Sequence, residues 1–220
     1  MNQTTDQMQT WAGDFGRAYT HRNKATLDEM EALYLKNFGI GRRALNEHFL
    51  GTLPRDLRIL EVGTNIGNQL LCLQSMGFEQ LTGIELQTYA IDEARSRTVG
   101  IDFIQGSARA LPFDDNHFDL VFTSGVLIHI HPIDLPTVMG EIHRCSRRYV
   151  WGLEYWAETM TEVNYRDHAG LLWKADYARL YRDHFSDLSL IREENLKYLD
   201  SNNRDSMFLL EKLEKTGAAG

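Results

Sequence analysis

Several residue sets in this chain have types and spacing that can do chemistry. Glu61-Val62-Gly63-Thr64-Asn65-Ile66-Gly67 closes a short apolar run with two glycines. Gly63 permits a tight turn and Gly67 lets a following helix pack close to the preceding strand. Together they bring backbone N–H groups and a helix N-terminus toward a ligand carrying negative charge. Glu85 stands 22 residues beyond Gly63. A carboxylate there can accept two hydrogen bonds from a ribose diol, the nucleoside-binding arrangement of doubly wound folds. Three further polar sets each follow an apolar run: Gly106-Ser107-Ala108, Ser124 to His129, and Glu154-Tyr155-Trp156. Near the start, Trp11, Phe15 and Tyr19 fall at i, i+4 and i+8, one helical face. Such a face either docks a helix on the body of the protein or closes a lid over a site.

Elements must position these residues. The patterning predicts buried strands over residues 57–63, 81–85, 101–105, 118–124 and 148–155. Between them it predicts helices over 67–76, 90–97 and 135–145. Strands alternating with helices imply crossover connections and a parallel sheet with helices on both faces. A helix over 174–184 and strands over 188–194 and 206–212 follow, the last two without a helix between them. They predict an antiparallel hairpin at one edge, for a seven-stranded, mostly parallel α/β sheet. A single N-terminal helix through residue 23, a helix from residue 25 to Gly39 and a short helix through Leu45 and Phe49 precede the sheet. The expected organisation is an N-terminal helical extension, 1–50, on a domain covering 51–215. In an open parallel sheet, ligands bind beyond the carboxyl ends of the strands, where every polar set above falls.

Composition sets outer bounds. The chain has 220 residues, 43% of them hydrophobic and 25% charged, which excludes wholesale disorder. Acids outnumber bases 31 to 23, for a formal charge of −8, which disfavours nucleic acid as a partner. No signal pattern or membrane-length apolar stretch is present, so the expected setting is cytoplasmic and without a membrane partner. Cys72 and Cys145 sit in apolar patterns and read as reduced core residues. His129 and His131 lack companions at ligand spacing, so no metal is expected. The tail Lys215 to Gly220 reads as frayed. The oligomeric state is not legible.

The motifs carry a resemblance. Glu61 to Gly67 resembles the first motif of class I S-adenosylmethionine-dependent methyltransferases, an acid-x-Gly-x-Gly-x-Gly run, and Glu85 resembles their ribose-binding acid. Ser107 to Phe113, then Phe118-Asp119-Leu120-Val121, resemble their third and fourth motifs. Asn65 replaces the middle glycine, and Ser107 replaces the acid that commonly contacts the adenine amino group. Asparagine tolerates left-handed backbone angles, and a serine hydroxyl can accept one hydrogen bond. A narrower resemblance comes from Trp11-x-x-x-Phe15-Gly16-x-x-Tyr19-x-x-Arg22-Asn23, Gly125 to Ile130, Glu154-Tyr155 and Tyr165-Arg166-x-His168. These are similar to methylases associated with pseudaminic acid biosynthesis, a family name that records genomic association.

The resemblance implies a Rossmann-like methyltransferase fold, S-adenosyl-L-methionine as cofactor and a small-molecule substrate. It implies a cofactor site of Glu61, Gly63, Thr64, Asn65, Gly67, Glu85, Leu86, Ser107, Ala108 and Ser124. Trp11, Tyr19 and Asn23 either close over it or dock as a plain amphipathic face. His129 either takes a proton from the acceptor atom or is a core histidine. Tyr155 shapes the reaction pocket beside it, and Glu154, Tyr165, Arg166 and His168 bind substrate, with Arg166 on a carboxylate or phosphate. The cluster at 165–168 reads alternatively as a surface turn. The activity implied is methyl transfer to N or O of a small polar metabolite, amino-acid-like or sugar-like and anionic. The competing reading is a degenerate cofactor-binding or regulatory protein without turnover.

Overall fold

The computed structural model describes residues 6–213. The expected frayed tail and the outer ends of both expected domains lie outside these residues.

Five parallel strands come from largely apolar runs: β1 (Arg58–Val62), β2 (Gln80–Glu85), β3 (Ile101–Gln105), β4 (Phe118–Ser124) and β5 (Ser146–Tyr155). Two further strands, β8 (Leu188–Lys197) and β9 (Arg204–Lys212), complete a seven-stranded sheet of order β3-β2-β1-β4-β5-β9-β8. β9 is antiparallel to β5 and to β8. The reversed strand therefore lies one place inside the edge, and the edge strand β8 runs with the other five. β8 also carries a bulge between Leu190 and Arg192. Two two-residue strands, β6 (Thr161–Glu162) and β7 (Trp173–Lys174), pair outside the main sheet. They were not expected, because two residues carry no alternation to read.

Helices cover both faces of the sheet. α3 (Leu27–Phe38) starts at a capping box: Thr26 Oγ1 accepts from the Glu29 N–H, and Glu29 accepts from the Thr26 N–H. It packs on one face with α4 (Arg42–Leu50), α5 (Asn68–Ser75) and α6 (Thr88–Arg97). α7 (Leu135–Cys145) and α8 (Tyr177–His184) cover the other face. Alternation along β9 shows why both are needed. Met207 and Leu209 enter the first core, while Phe208 and Leu210 enter the second. α7 buries Leu135, Val138, Met139, Ile142 and Cys145, an apolar stripe at helical spacing. α8 begins at Tyr177 rather than 174, because the Asp176 side chain caps it by accepting from the Arg179 N–H. Cys72 and Cys145 are buried free thiols.

The N-terminal segment departs from the single expected helix. It breaks at Gly13 into α1 (Asp6–Ala12) and α2 (Asp14–Arg22). The aromatic face survives the break. The Trp11 ring meets Phe15 at 5.2 Å and Tyr19 at 5.3 Å, both edge-on.

Candidate active site

The strand order reverses between β1 and β4, which opens a crevice at their carboxyl ends. A cavity of about 530 Å³ lies there, roofed by α1 and α2. Its size suits a ligand of nucleoside dimensions.

The loop after β1 forms the floor. Gly63 has φ +73°, and a Cβ there would lie 2.8 Å from Val126. Gly67 has φ +77°, and a Cβ there would lie 2.8 Å from the Phe103 ring. Gly67 thus seats α5 against the sheet and does not itself line the cavity. Asn65 occupies the middle position at φ +49°, so asparagine supplies the left-handed turn that the site needs. The loop's N–H groups turn inward, contrary to the expectation that they face an anion. Gly63 and Thr64 both donate to the Ile84 carbonyl, Asn65 to Glu85, and Gly67 to the Thr64 carbonyl. The loop is shaped for close approach, with these donors already used.

Glu85 sits at the tip of β2, 9% exposed and on the cavity wall. One oxygen accepts from the Asn65 N–H at 2.9 Å; the other accepts from the N–H groups of Leu86 at 2.8 Å and Gln87 at 3.1 Å. Burial raises its pKa, and these three donors oppose the rise. The carboxylate is fixed in orientation, and the oxygen bonded to Asn65 keeps a lone-pair position for a hydroxyl. Glu61 is 2% exposed and accepts from the Thr64 hydroxyl at 2.7 Å. Burial pushes its pKa up to about 8, so it is mostly protonated at neutral pH.

The other strand tips close the walls. Ser107, Ala108, Ser124 and Tyr155 line the cavity, as do Thr64, Leu86, Tyr19 and Asn23. The Ser107 hydroxyl accepts from the Arg109 N–H at 3.2 Å and keeps its own proton to donate. His129 ends a single 3-10 turn, Leu127–His129. Its Nδ1 lies 2.7 Å from the Leu171 carbonyl, an acceptor only, so Nδ1 carries the proton and Nε2 presents a lone pair. Burial pushes the imidazole down to about 4 and keeps it neutral. Trp11 covers it at 4.4 Å between rings. Gln7 clasps the same turn, donating to the His129 carbonyl at 2.6 Å and accepting from the His131 N–H at 2.9 Å.

The four expected substrate-binding residues do not line the cavity. Glu154 is 1% exposed and sits behind the β4 loop. It accepts from the N–H groups of Val126 at 3.2 Å and Ile128 at 3.3 Å. It therefore holds the loop that carries His129. Arg166 is exposed at the tip of a tight turn in which Tyr165 and His168 exchange backbone hydrogen bonds. Arg166 and Asp167 both have positive φ, 56° and 66°. The guanidinium lies over the Tyr165 ring, and this turn is the surface reading of the cluster. Tyr165 and His168 pack on the outside of the roof, with Tyr165 at 6.2 Å and His168 at 5.5 Å from Phe15. Tyr165 also backs His129 at 5.3 Å.

Sequence reasoning missed Arg22, Tyr34, Gln87, Tyr198 and Asp205, all on the cavity wall, and Arg42 behind it. One signal could have found Arg42. The buried positions of α4 are Arg42, Leu45, Asn46, Phe49 and Leu50, an inward stripe carrying one charge and one amide. Among the described residues no group of three or more His, Cys, Asp or Glu side chains could hold a metal ion. Nor is any helix long and apolar enough to cross a membrane.

Comparisons with known proteins agree with this geometry. Residues 59–148 match the family model described as a methyltransferase domain. Sterol 24-C-methyltransferase of Neurospora crassa is 27% identical over 110 residues, covering 46% of this chain and 28% of that protein. Demethylmenaquinone methyltransferase of Chlorobaculum tepidum is 30% identical over 90 residues, covering 41% and 36%. The chain thus spans well under half the length of these relatives. Among solved structures, the Burkholderia thailandensis 1,6-didemethyltoxoflavin-N1-methyltransferase superposes with TM-score 0.70 at 14% identity, covering 97% of this chain and 92% of that one. That structure contains bound 1,6-didemethyltoxoflavin and S-adenosylhomocysteine, and its likeness to this chain is one of fold. Residues 59–148 are thus similar to a methyltransferase domain, and the seven-stranded sheet shares the fold of a solved methyltransferase with bound S-adenosylhomocysteine.

Proposed function

We propose that the protein transfers a methyl group from S-adenosyl-L-methionine to nitrogen or oxygen of a small polar metabolite. The observation that carries this reading is Glu85, fixed by three backbone donors on the wall of a 530 Å³ cavity at the strand-order reversal. In this reading Glu85 receives the ribose hydroxyls. Leu86, Ser107 and Ala108 border the adenine, and the segment from Gly63 to Asn65 lies along the nucleoside. Glu61, Thr64 and Ser124 stand at the other end. When bound, the cofactor supplies a methyl already activated by a sulfonium, so the chain must chiefly align, desolvate and accept a proton. Trp11 and Tyr19 exclude water from above, with α1 and α2 as the roof. His129 accepts the acceptor's proton at Nε2, and Tyr155 bounds the space beside it.

The resemblance of the motifs at 11–23, 125–130, 154–155 and 165–168 to methylases associated with pseudaminic acid biosynthesis is consistent with a small-metabolite acceptor, amino-acid-like or sugar-like. An anionic group on it would meet Arg22 on the cavity wall, since Arg166 lies outside. Nothing in the site calls for a polynucleotide.

The test is titration calorimetry with S-adenosylhomocysteine. Glu85→Ala is expected to weaken binding by ~1.5–3 kcal/mol, the worth of hydrogen bonds to a charged group. Glu85→Gln keeps an acceptor for the backbone donors and separates lost ligand contacts from a disturbed loop. Affinity unchanged in both variants refutes the ribose role.

A further inference from the structure

The turn that carries His129 is completed by a residue of the roof. The His129 N–H donates to the Val126 carbonyl at 2.9 Å, and the Ile130 N–H to the Leu127 carbonyl at 3.0 Å. One more step of this turn would place the N–H of residue 132 on the His129 carbonyl. Position 132 is proline, which has no N–H. The next donor, the Ile133 N–H, goes to the His131 ring at Nδ1, 3.2 Å away. The His129 carbonyl and the His131 N–H are thus left without partners in their own segment. One side chain serves both. Gln7 Nε2 donates to the His129 carbonyl at 2.6 Å, and Gln7 Oε1 accepts from the His131 N–H at 2.9 Å. Among the described residues no other group bonds to either. A carbonyl at one end and an N–H at the other fix which way the amide points.

The same face of α1 reaches the ring. Trp11 follows Gln7 by one helical turn, and its indole covers the His129 imidazole at 4.4 Å. α1 therefore holds His129 by its backbone and by its ring together. The remaining contacts come from the body of the protein. Glu154 accepts from the N–H groups of Val126 and Ile128, and Tyr165 backs the ring at 5.3 Å. The Leu171 carbonyl, 2.7 Å from Nδ1, selects the Nδ1–H tautomer and leaves Nε2 bare. That selection lasts only while the turn keeps the ring at hydrogen-bonding distance from Leu171. A turn whose last carbonyl and N–H have no partner is free to drift from that position.

We propose that Gln7 is a positioning residue that couples closure of the roof to presentation of the His129 lone pair. With α1 seated, the Gln7 amide completes the turn, Trp11 presses on the ring, and Nε2 is kept free of its proton. With α1 lifted, both contacts are withdrawn together. The turn then loosens, and the imidazole takes up the Nε2–H form, which has no lone pair to offer there. The base is thus assembled by the same movement that shuts water out of the cavity. The inference rests on the reading of His129 as the group that accepts the acceptor's proton, and adds what makes that group competent.

The experiment reads the His129 tautomer by side-chain nitrogen NMR of the full chain at pH 7, where burial keeps the ring neutral. Gln7→Met keeps the length of the side chain and removes both hydrogen bonds. Gln7→Glu keeps an acceptor for the His131 N–H and turns a carboxylate oxygen toward the His129 carbonyl. Gln9→Met makes the same change as the first on the exposed side of α1. The wild type and Gln9→Met are expected to hold the Nδ1–H form alone. Both Gln7 variants are expected to lose that single form, with the Nε2–H form appearing beside it. Gly16→Val, which raises the roof with Gln7 intact, is expected to give the same loss. Faster amide exchange over residues 6–12 in Gln7→Met with the tautomer unchanged would make Gln7 a mere anchor of α1 and overturn the coupling. A raised roof in Gly16→Val with the tautomer retained overturns it too. A wild type in the Nε2–H form refutes His129 as the base, and the proposal with it. Failure of the methyltransferase reading registers separately, as absent S-adenosylhomocysteine binding in calorimetry. Should Gly16→Val leave the roof seated, the Gln7 variants still decide.

Discussion

Glu61 links the chemistry of one residue to the stability of the whole protein. Its folded pKa is about 8 against an ordinary value of 4.5, because burial penalises the carboxylate. The folded state therefore binds more protons than the unfolded state between those values. Glu61's stabilising contribution is complete below about pH 4.5 and is lost as pH rises through 8. The limiting slope for one proton is about 1.4 kcal/mol per pH unit. Glu61→Gln cannot titrate, so its stability is expected to gain on the wild type from pH 5 to 8, read by urea denaturation across that range. Parallel profiles for the two proteins would show that Glu61 is already ionised. At this scale the sequence was partly legible. Glu85 was readable because an acid at a strand tip has a restricted set of neighbours. Arg42 was not marked, because a charged residue opening a helix usually faces water. Arg166 was misplaced because residue types alone do not show that two successive non-glycine residues have positive φ.

At the scale of elements, the limits of β3, β4 and α7 follow the sequence pattern residue for residue. The strands are apolar runs bounded by turn residues, and α7 is a clean helical stripe. The N-terminal segment was harder, since aromatic spacing at i and i+4 persists whether or not Gly13 breaks the helix. α2 depends on one close approach. Gly16 is buried, and a Cβ there would lie 1.9 Å from the Trp11 carbonyl and 2.4 Å from Gln87 Nε2. Gly16→Val is expected to lift α1 and α2 from the body while leaving the sheet intact. Faster amide hydrogen exchange confined to residues 6–23 would report it, and unchanged protection there would show that α2 tolerates the bulk. At α3, Thr26→Ala removes half of the capping box and is expected to cost about 1 kcal/mol, measured by urea denaturation.

At the scale of the molecule, strand order sets the site: the reversal between β1 and β4 places five strand tips around one cavity. The same order leaves β8 as an outer strand bearing Leu190 and Ile191 at the surface, 38% and 46% exposed. The bulge there inserts Ile191 between paired neighbours, Leu190 with Leu210 and Arg192 with Leu209. Bulges twist a rim out of plane and spoil it as a template for another strand. Deleting Ile191 would straighten the rim and offer unbroken backbone amides and carbonyls beside apolar side chains. Light scattering should then show concentration-dependent growth absent from the parent. One extra residue, far from any chemistry, thereby helps keep neighbouring molecules from zipping together along their borders.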